Sequence, residues 1–170
     1  MNQPAAASDR SGSDIFLAVQ TKRAGKLKGE ASAPGHVDDI EVRSMTWGVS
    51  SPTAVGAVAA TARRQYKHLV IVKGIDSAST GLLSALVTND EVKEAKLTLR
   101  KAGGDALDYW TMTLSKARVV GVDLEVDPQG HPTESVRIAY GQIEIEYKRQ
   151  QGAGTSGAST SFADEVLATS

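Results

Sequence analysis

A chain of 170 residues with 41% apolar side chains can bury one core without metals or crosslinks, and its length suits a single domain with tails. Nineteen basic and 20 acidic residues leave a net charge of -1, so no long-range field draws the molecule to phosphate backbones or anionic lipid, and no nucleic-acid partner is expected. Cysteine is absent, which excludes disulfides, thiolate nucleophiles and cysteine-based zinc or iron–sulfur centres.

The opening stretch, residues 1–13, is small and polar with a lone Arg10. It reads as a flexible tail that lacks the apolar run of a secretory signal, and no segment reads as membrane-spanning. From Asp14 to Gln20 the pattern alternates, with Ile15, Leu17 and Val19 on one face of a predicted strand and Phe16 and Ala18 on the other. The chain turns at Gly25, and Lys26 to Glu30 reads as a short second strand. Val37 to Val49 is strand-like with a change of parity. Ile40 and Val42 share one face; Met45, Trp47 and Val49 share the other, which a bulge or a crossing between sheets would explain.

Ser50 to Arg64 is rich in small residues and lacks alternation, so it reads as a long arm with an interface role. Leu69 to Val72 is apolar on both faces and is expected to be covered on both. One helix follows Asp76 and Ser77 as candidate caps, with Leu82, Leu83, Leu86 and Val87 as its apolar stripe. Ala95, Leu97 and Leu99 begin a hairpin that turns at residues 102–105 and returns over Leu107 to Ser115. Val119 to Val126 is a further strand with Val120, Val122, Leu124 and Val126 expected inward, ending at the turn 127–130. The last strand, Thr133 to Tyr147, changes parity at Gly141: Val136, Ile138 and Tyr140 come first, then Ile143, Ile145 and Tyr147.

About eight strands, one helix and two parity changes predict a mainly β fold: a small two-sheet β-barrel with one α-helix and a long arm loop. The barrel domain spans 14–149. Residues 150–170 carry a composition too poor in apolar side chains to order itself and read as a low-complexity, flexible tail.

Candidate chemistry is sparse. His36 lies near Asp38 and Asp39, but the spacing fits an exposed loop better than a metal or general-base site. Glu144 and Glu146 are spaced as a glycosidase pair would be, yet they alternate with Ile143, Ile145 and Tyr147 and read as a solvent face. His68 and His131 have no neighbour in sequence to act with, and no nucleophile elbow occurs. The basic cluster Lys22, Arg23, Lys26 and Lys28 reads as a lysine-protected strand edge. No catalytic residue, cofactor or metal is expected, and the chain reads as an assembling protein and not an enzyme. Along Arg43 to Val49 the face opposite Met45 holds Ser44, Thr46 and Gly48, small side chains suited to the wall of a channel.

Asp14-Ile15-Phe16-Leu17, Gly29-Glu30 and the run from Ile40 to Val49 resemble the opening of the haemolysin-coregulated proteins, the tube subunits of bacterial type VI secretion. The similarity continues through Lys73-Gly74-Ile75-Asp76, Ala95 to Gly104, and Thr133-Glu134-Ser135-Val136 leading to Ile143-Glu144-Ile145-Glu146-Tyr147. Two departures stand out: Ala31 where the family commonly has Ser, and an Ala-rich arm in place of a Gly-rich one. The resemblance implies a homo-oligomer, a hexameric ring that stacks into a tube, with small effector proteins in the lumen and a contractile sheath and spike as partners. It also implies assembly in the cytoplasm, then secretion without a signal peptide. Within that frame Ser44 and Thr46 are assigned to the lumen and effector contact, and Ser51, Pro52, Val55 and Val58 to ring stacking through the arm. The alternatives are a phage-like contractile tail-tube protein, a monomeric β-barrel binding module, or a carbohydrate-active or lytic enzyme using His36, Asp38 or the glutamates.

Overall fold

The computed structural model describes residues 12–51, 64–102, 106–150 and 156–166. Among them, β1 is Ser13–Thr21, β2 Gly25–Lys26, β3 Ile40–Val42, β4 Ser44–Thr46, β5 Val49–Ser50, β6 Gln65–Tyr66 and β7 Leu69–Lys73. After the helix α1, Ser79–Val87, come β8 Val92–Lys101, β9 Asp108–Val126, β10 Pro132–Ala139, β11 Gln142–Gln150 and β12 Ser156–Glu165. Every strand pairing is antiparallel.

The alternation of β1 survives in the fold: Leu17 and Val19 are fully buried. β8 lies along one side of β1, while β2 and β3 take the other. Where two strands were expected over 107–126, a single 19-residue strand runs through. It bends at Lys116, whose φ of 48° is left-handed backbone, and the buried side chains switch there from Met112 and Leu114 to Ala117 and Val119. The first half of β9 pairs with β8 and β11, the second with β10. Through β9 the molecule divides into two layers: β2, β1, β8, β11 and β12 on one side, β10, β7 and β4 on the other. One core fills the space between, with Leu17, Leu97, Met112 and Leu114 from the first layer and Leu69, Ile71, Val136 and Ile138 from the second.

Several expectations need correction. The hydrogen-bonded order β2-β1-β8-β9-β10-β7-β4 is an open path, so the described residues form no closed barrel. Of the two explanations for the parity change over 37–49, the crossing between sheets holds, but as two short strands and not one: β3 pairs with β1, Arg43 donates its N–H to Val72 O at 2.7 Å, and β4 pairs with β7. The strand expected over 26–30 is confined to Gly25–Lys26, because 29–39 doubles back on itself, with Gly29 N–H on Asp38 O at 2.8 Å and Ala31 N–H on Asp39 O at 3.0 Å. Val120 points outward, since the register shift between Arg137 and Ile138 places Val119 opposite Ile138. Leu124 and Val126 are exposed because β9 and β10 run on past the end of the core.

Residues 156–165 are a strand, not a flexible tail: Phe162 pairs with Ile145 and Ser161 with Glu146. Their composition cannot drive ordering alone. The free edge of β11 supplies it by offering a ladder of unpaired backbone groups. The single strand expected over 133–147, with a bulge at Gly141, is two strands, β10 and β11, because the chain turns at Tyr140–Gly141, where the Gly141 N–H is donated to Ser115 O and Lys116 O, both at 3.1 Å.

The helix starts close to where Asp76 and Ser77 pointed, although Ala78 holds the N-cap position without a side-chain bond. Asp76 Oδ1 accepts the Ala78 N–H at 3.0 Å instead. Only Leu82 and Ala85 of the apolar residues are buried, with Ser79 beside them; Leu83 and Val87 face outward, so the buried stripe is narrower than periodicity implied. What seats α1 is a polar cluster. Lys73 is fully buried, its Nζ donating to Glu134 Oε2 at 2.6 Å, Asp76 Oδ1 at 2.9 Å and Ser79 Oγ at 3.0 Å. The Ser79 hydroxyl donates to Glu134 Oε2 at 2.7 Å, so each buried charge is paired and hydrogen-bonded.

Candidate functional site

Side chains directly opposed in an antiparallel pair share a face. Ser44 opposes Val72 and Thr46 opposes Val70; on the other side of β7, Val72 opposes Ser135 and Val70 opposes Arg137. These six residues therefore make one surface on the outside of the second layer. Ser44 and Thr46 are exposed while Met45 turns back toward the core, as the parity of the segment required. Val70 and Val72 are half-buried, so β7 is covered fully on its inner face alone. The same surface holds an ion pair that the sequence did not advertise: Arg137 Nη1 donates to Asp123 Oδ2 at 2.6 Å. The two stand on neighbouring strands, and Arg137 lies over Gly121, where an added Cβ would come within 2.1 Å of Nη2. The face thus carries short side chains around Ser44 and Thr46, and its one charge among the six, Arg137, is paired with Asp123.

Of the four arm residues singled out, Ser51 is described and exposed; Pro52, Val55 and Val58 lie outside the described residues. The base of the arm is well held. Val49 pairs with Tyr66 and Ser50 with Gln65. Trp47 Nε1 donates to Tyr140 Oη at 2.5 Å, that hydroxyl donates to Lys67 O at 2.8 Å, and Tyr66 meets Tyr140 edge-on. Arg64 Nη2 and Tyr66 Oη donate to the Asp164 carboxylate at 2.7 and 2.5 Å, which ties the arm to β12. Hydrogen bonds from Arg64 and Tyr66 hold the Asp164 carboxyl down to about 2.

His36 proves to be neither an exposed loop residue nor a partner of Asp38. Its ring stacks on Phe16 with centroids 4.3 Å apart. Nδ1 lies 2.8 Å from Asp39 Oδ2, and Nε2 lies 3.0 Å from Asp108 Oδ2. Lys26 reaches Asp39 at 2.8 Å and Arg100 reaches Asp108 at 2.7 Å. Asp39 was visible in sequence, three positions away; Asp108, 72 positions away on β9, was not. The cluster clamps 29–39 over the outer face of β1 and β8. No described contact joins His36 to Asp38, Glu144 or Glu146, and no three His, Asp or Glu side chains among the described residues are placed to hold a metal ion. Glu144 is exposed and Glu146 lies 3.8 Å from Lys148, on the outer face of β11 as the alternation indicated.

Burial alone would raise the Asp108 carboxyl, but hydrogen bonds from Arg100 and His36 outweigh it and hold Asp108 below the usual carboxylate range. A depressed folded-state pKa adds stability that is present above the unfolded value of about 3.9 and is lost as pH falls through the lower one. Asp108→Asn is therefore expected to flatten the decline of stability below about pH 4. Acid titrations of the two proteins that run parallel would remove Asp108 as a contributor.

The family model described as "Type VI secretion system effector, Hcp" matches residues 16–147. The chain belongs to this family of secreted type VI secretion proteins. Protein hcp1 of Pseudomonas aeruginosa is 28% identical over 147 residues, covering 83% of this chain and 86% of that protein. In fold the chain is similar to Hcp1 from Escherichia coli EAEC 042, with a TM-score of 0.73 at 23% identity over 89% of this chain and 97% of that one. It is also similar to Hcp1 from Salmonella typhimurium, with a TM-score of 0.71 at 24% identity over 91% and 94% of the two chains.

Proposed function

We propose that this chain is the structural subunit of a type VI secretion inner tube, closing into hexameric rings that stack and carry small effectors in the lumen. The observation that carries the reading is the family match over 16–147, the span that includes both layers and the helix. A closed ring of identical subunits has two unlike faces, and stacking rings head to tail through those faces is a heterologous contact that propagates without limit. The sheath and spike of the secretion machine are its partners, and it is built in the cytoplasm before export. Light scattering with electron microscopy tests this: ring-sized particles are expected, and a protein that stays monomeric at high concentration would overturn the reading.

Ser44 and Thr46 line the lumen in this proposal, supported by their exposure and short side chains on a face whose Arg137 is paired with Asp123. Thr46→Arg is expected to leave rings intact, because nothing buried is disturbed, and to weaken effector retention in a pull-down from cells. Rings that fail to form, or retention that does not change, would refute the assignment. The arm beyond Ser51 meets the next ring, so deleting 52–63 is expected to leave rings and remove tubes; loss of the rings themselves would place the arm laterally.

A further inference from the structure

The arm leaves and re-enters the body through β5 and β6, a ribbon with little backbone support. The two strands pair through Val49–Tyr66 and Ser50–Gln65, and among the described residues they form a two-stranded sheet apart from the larger one. An isolated ribbon that short is marginal in water, so side chains must seat it on the body. One seat is aromatic: Trp47 Nε1 on Tyr140 Oη, and Tyr66 edge-on against Tyr140.

The other seat is a single carboxylate, on the returning side of the arm. Asp164 accepts from Arg64 Nε at 2.5 Å and Nη2 at 2.7 Å, and from Tyr66 Oη at 2.5 Å, while the Glu165 N–H donates to Oδ1 at 2.9 Å. The Arg64 fork fixes an angle as well as a distance. Its side chain is 54% exposed, so the pair adds little to overall stability, and what it sets is geometry.

The dependence runs mainly one way. β12 is paired with β11 from Gln142–Glu165 to Gln150–Ser156, and the Val166 N–H donates to Gly141 O at 2.8 Å, so the strand keeps its place without the Asp164 side chain. β6 has two residues in its ladder, and the described contacts of the Arg64 side chain are with Asp164 and Tyr66. β12 also lies beyond the span 16–147 that the family model matches, so family membership assigns it no task.

We propose that Asp164 is a positioning residue for ring stacking: through Arg64 and Tyr66 the C-terminal strand sets the angle at which the arm re-enters the body, and stacking depends on that angle while ring closure does not. The inference rests on the stacking role proposed above for the arm and adds the element that aims it.

Electron microscopy of the full chain, with ring mass read by light scattering, tests it. Asp164→Ala is expected to keep the parent's ring mass and circular dichroism and to lose most of its tubes at a concentration where the parent stacks. Hydrogen exchange of the β12 amides is expected to match the parent. Arg64→Asp, which sets two carboxylates together, is expected to lose tubes as well. The exchange Arg64→Asp/Asp164→Arg rebuilds the pair with its charges reversed, and Tyr66 Oη can accept as well as donate, so tubes are expected to return. Asp164→Ala tubes equal to the parent's, lost rings, a β12 that loses protection, or an exchange variant no better than Arg64→Asp each overturns the inference. The 52–63 deletion separates it from the reading beneath it. If that deletion removes tubes and Asp164→Ala keeps them, this inference alone fails; if tubes survive the deletion, or the parent never stacks, both fail.

Discussion

Lys73→Met is expected to be among the most damaging single substitutions in this chain, costing about 3–5 kcal/mol. Methionine fills the space of the lysine stem, so the loss is not a cavity. What remains is two carboxylates, Glu134 and Asp76, that both lay within 2.9 Å of the same ammonium and are themselves largely buried. One must protonate or drag water into the core, either of which is costly in a low-dielectric interior. The total stability of a domain is about 5–15 kcal/mol, so the variant would lose a large part of it. Chemical denaturation measures this as a fall in midpoint at constant slope. The double variant Lys73→Met/Glu134→Leu is expected to recover much of the loss, since replacing a buried pair by apolar groups is often close to neutral. A single variant that loses less than about 1 kcal/mol would show that the charges are hydrated and not buried.

The second large effect is expected at Gly29→Ala. A Cβ there would come within 2.4 Å of the Asp39 carbonyl oxygen and 2.7 Å of Ile40 Cα, and both are backbone atoms that no rotamer change can move aside. The two strands of the 29–39 loop must separate, which breaks the Gly29–Asp38 and Ala31–Asp39 hydrogen bonds and shifts Asp39 away from His36. Overpacking of this kind costs about 1–3 kcal/mol before the lost polar contacts are added. Gly48→Ala is the control, because its methyl would meet only Lys67 Cδ at 3.7 Å. Equal midpoints for the two variants would mean that the loop relaxes without strain and that the close crossing is not required.

The two substitutions touch stretches that carry the family resemblance, Gly29-Glu30 and Lys73-Gly74-Ile75-Asp76. Gly29-Glu30 is where two backbone segments cross too closely for any side chain. Lys73-Gly74-Ile75-Asp76 and Glu134 together form the seat of the helix. What looked like a scatter of short motifs is, in the fold, a set of places where backbone or charge must be buried. Their spacing in sequence hides that function because the partners sit far apart, with Glu134 61 positions from Lys73.

Local periodicity determined a good deal of this protein without help from the fold. The alternation of Ile15, Leu17 and Val19 assigned the inward face of β1, and the parity changes near Arg43 and Gly141 marked where strands leave one layer for the other. Ser44 and Thr46 were placed on an exposed face by the same argument, because the side-chain period of a strand is two wherever it is paired. Tertiary structure alone decided the rest. His36 became a buried clamp only because β9 brought Asp108 to its Nε2. A lysine was fully buried because two carboxylates and a hydroxyl converged on it. Serine- and alanine-rich residues 156–165 became a strand because β11 had a free edge, while Leu124 and Val126 kept a core-like pattern with no core beneath them. Periodicity records which way a side chain points; whether anything stands opposite it depends on residues dozens of positions away, and that is set only when the layers close on each other.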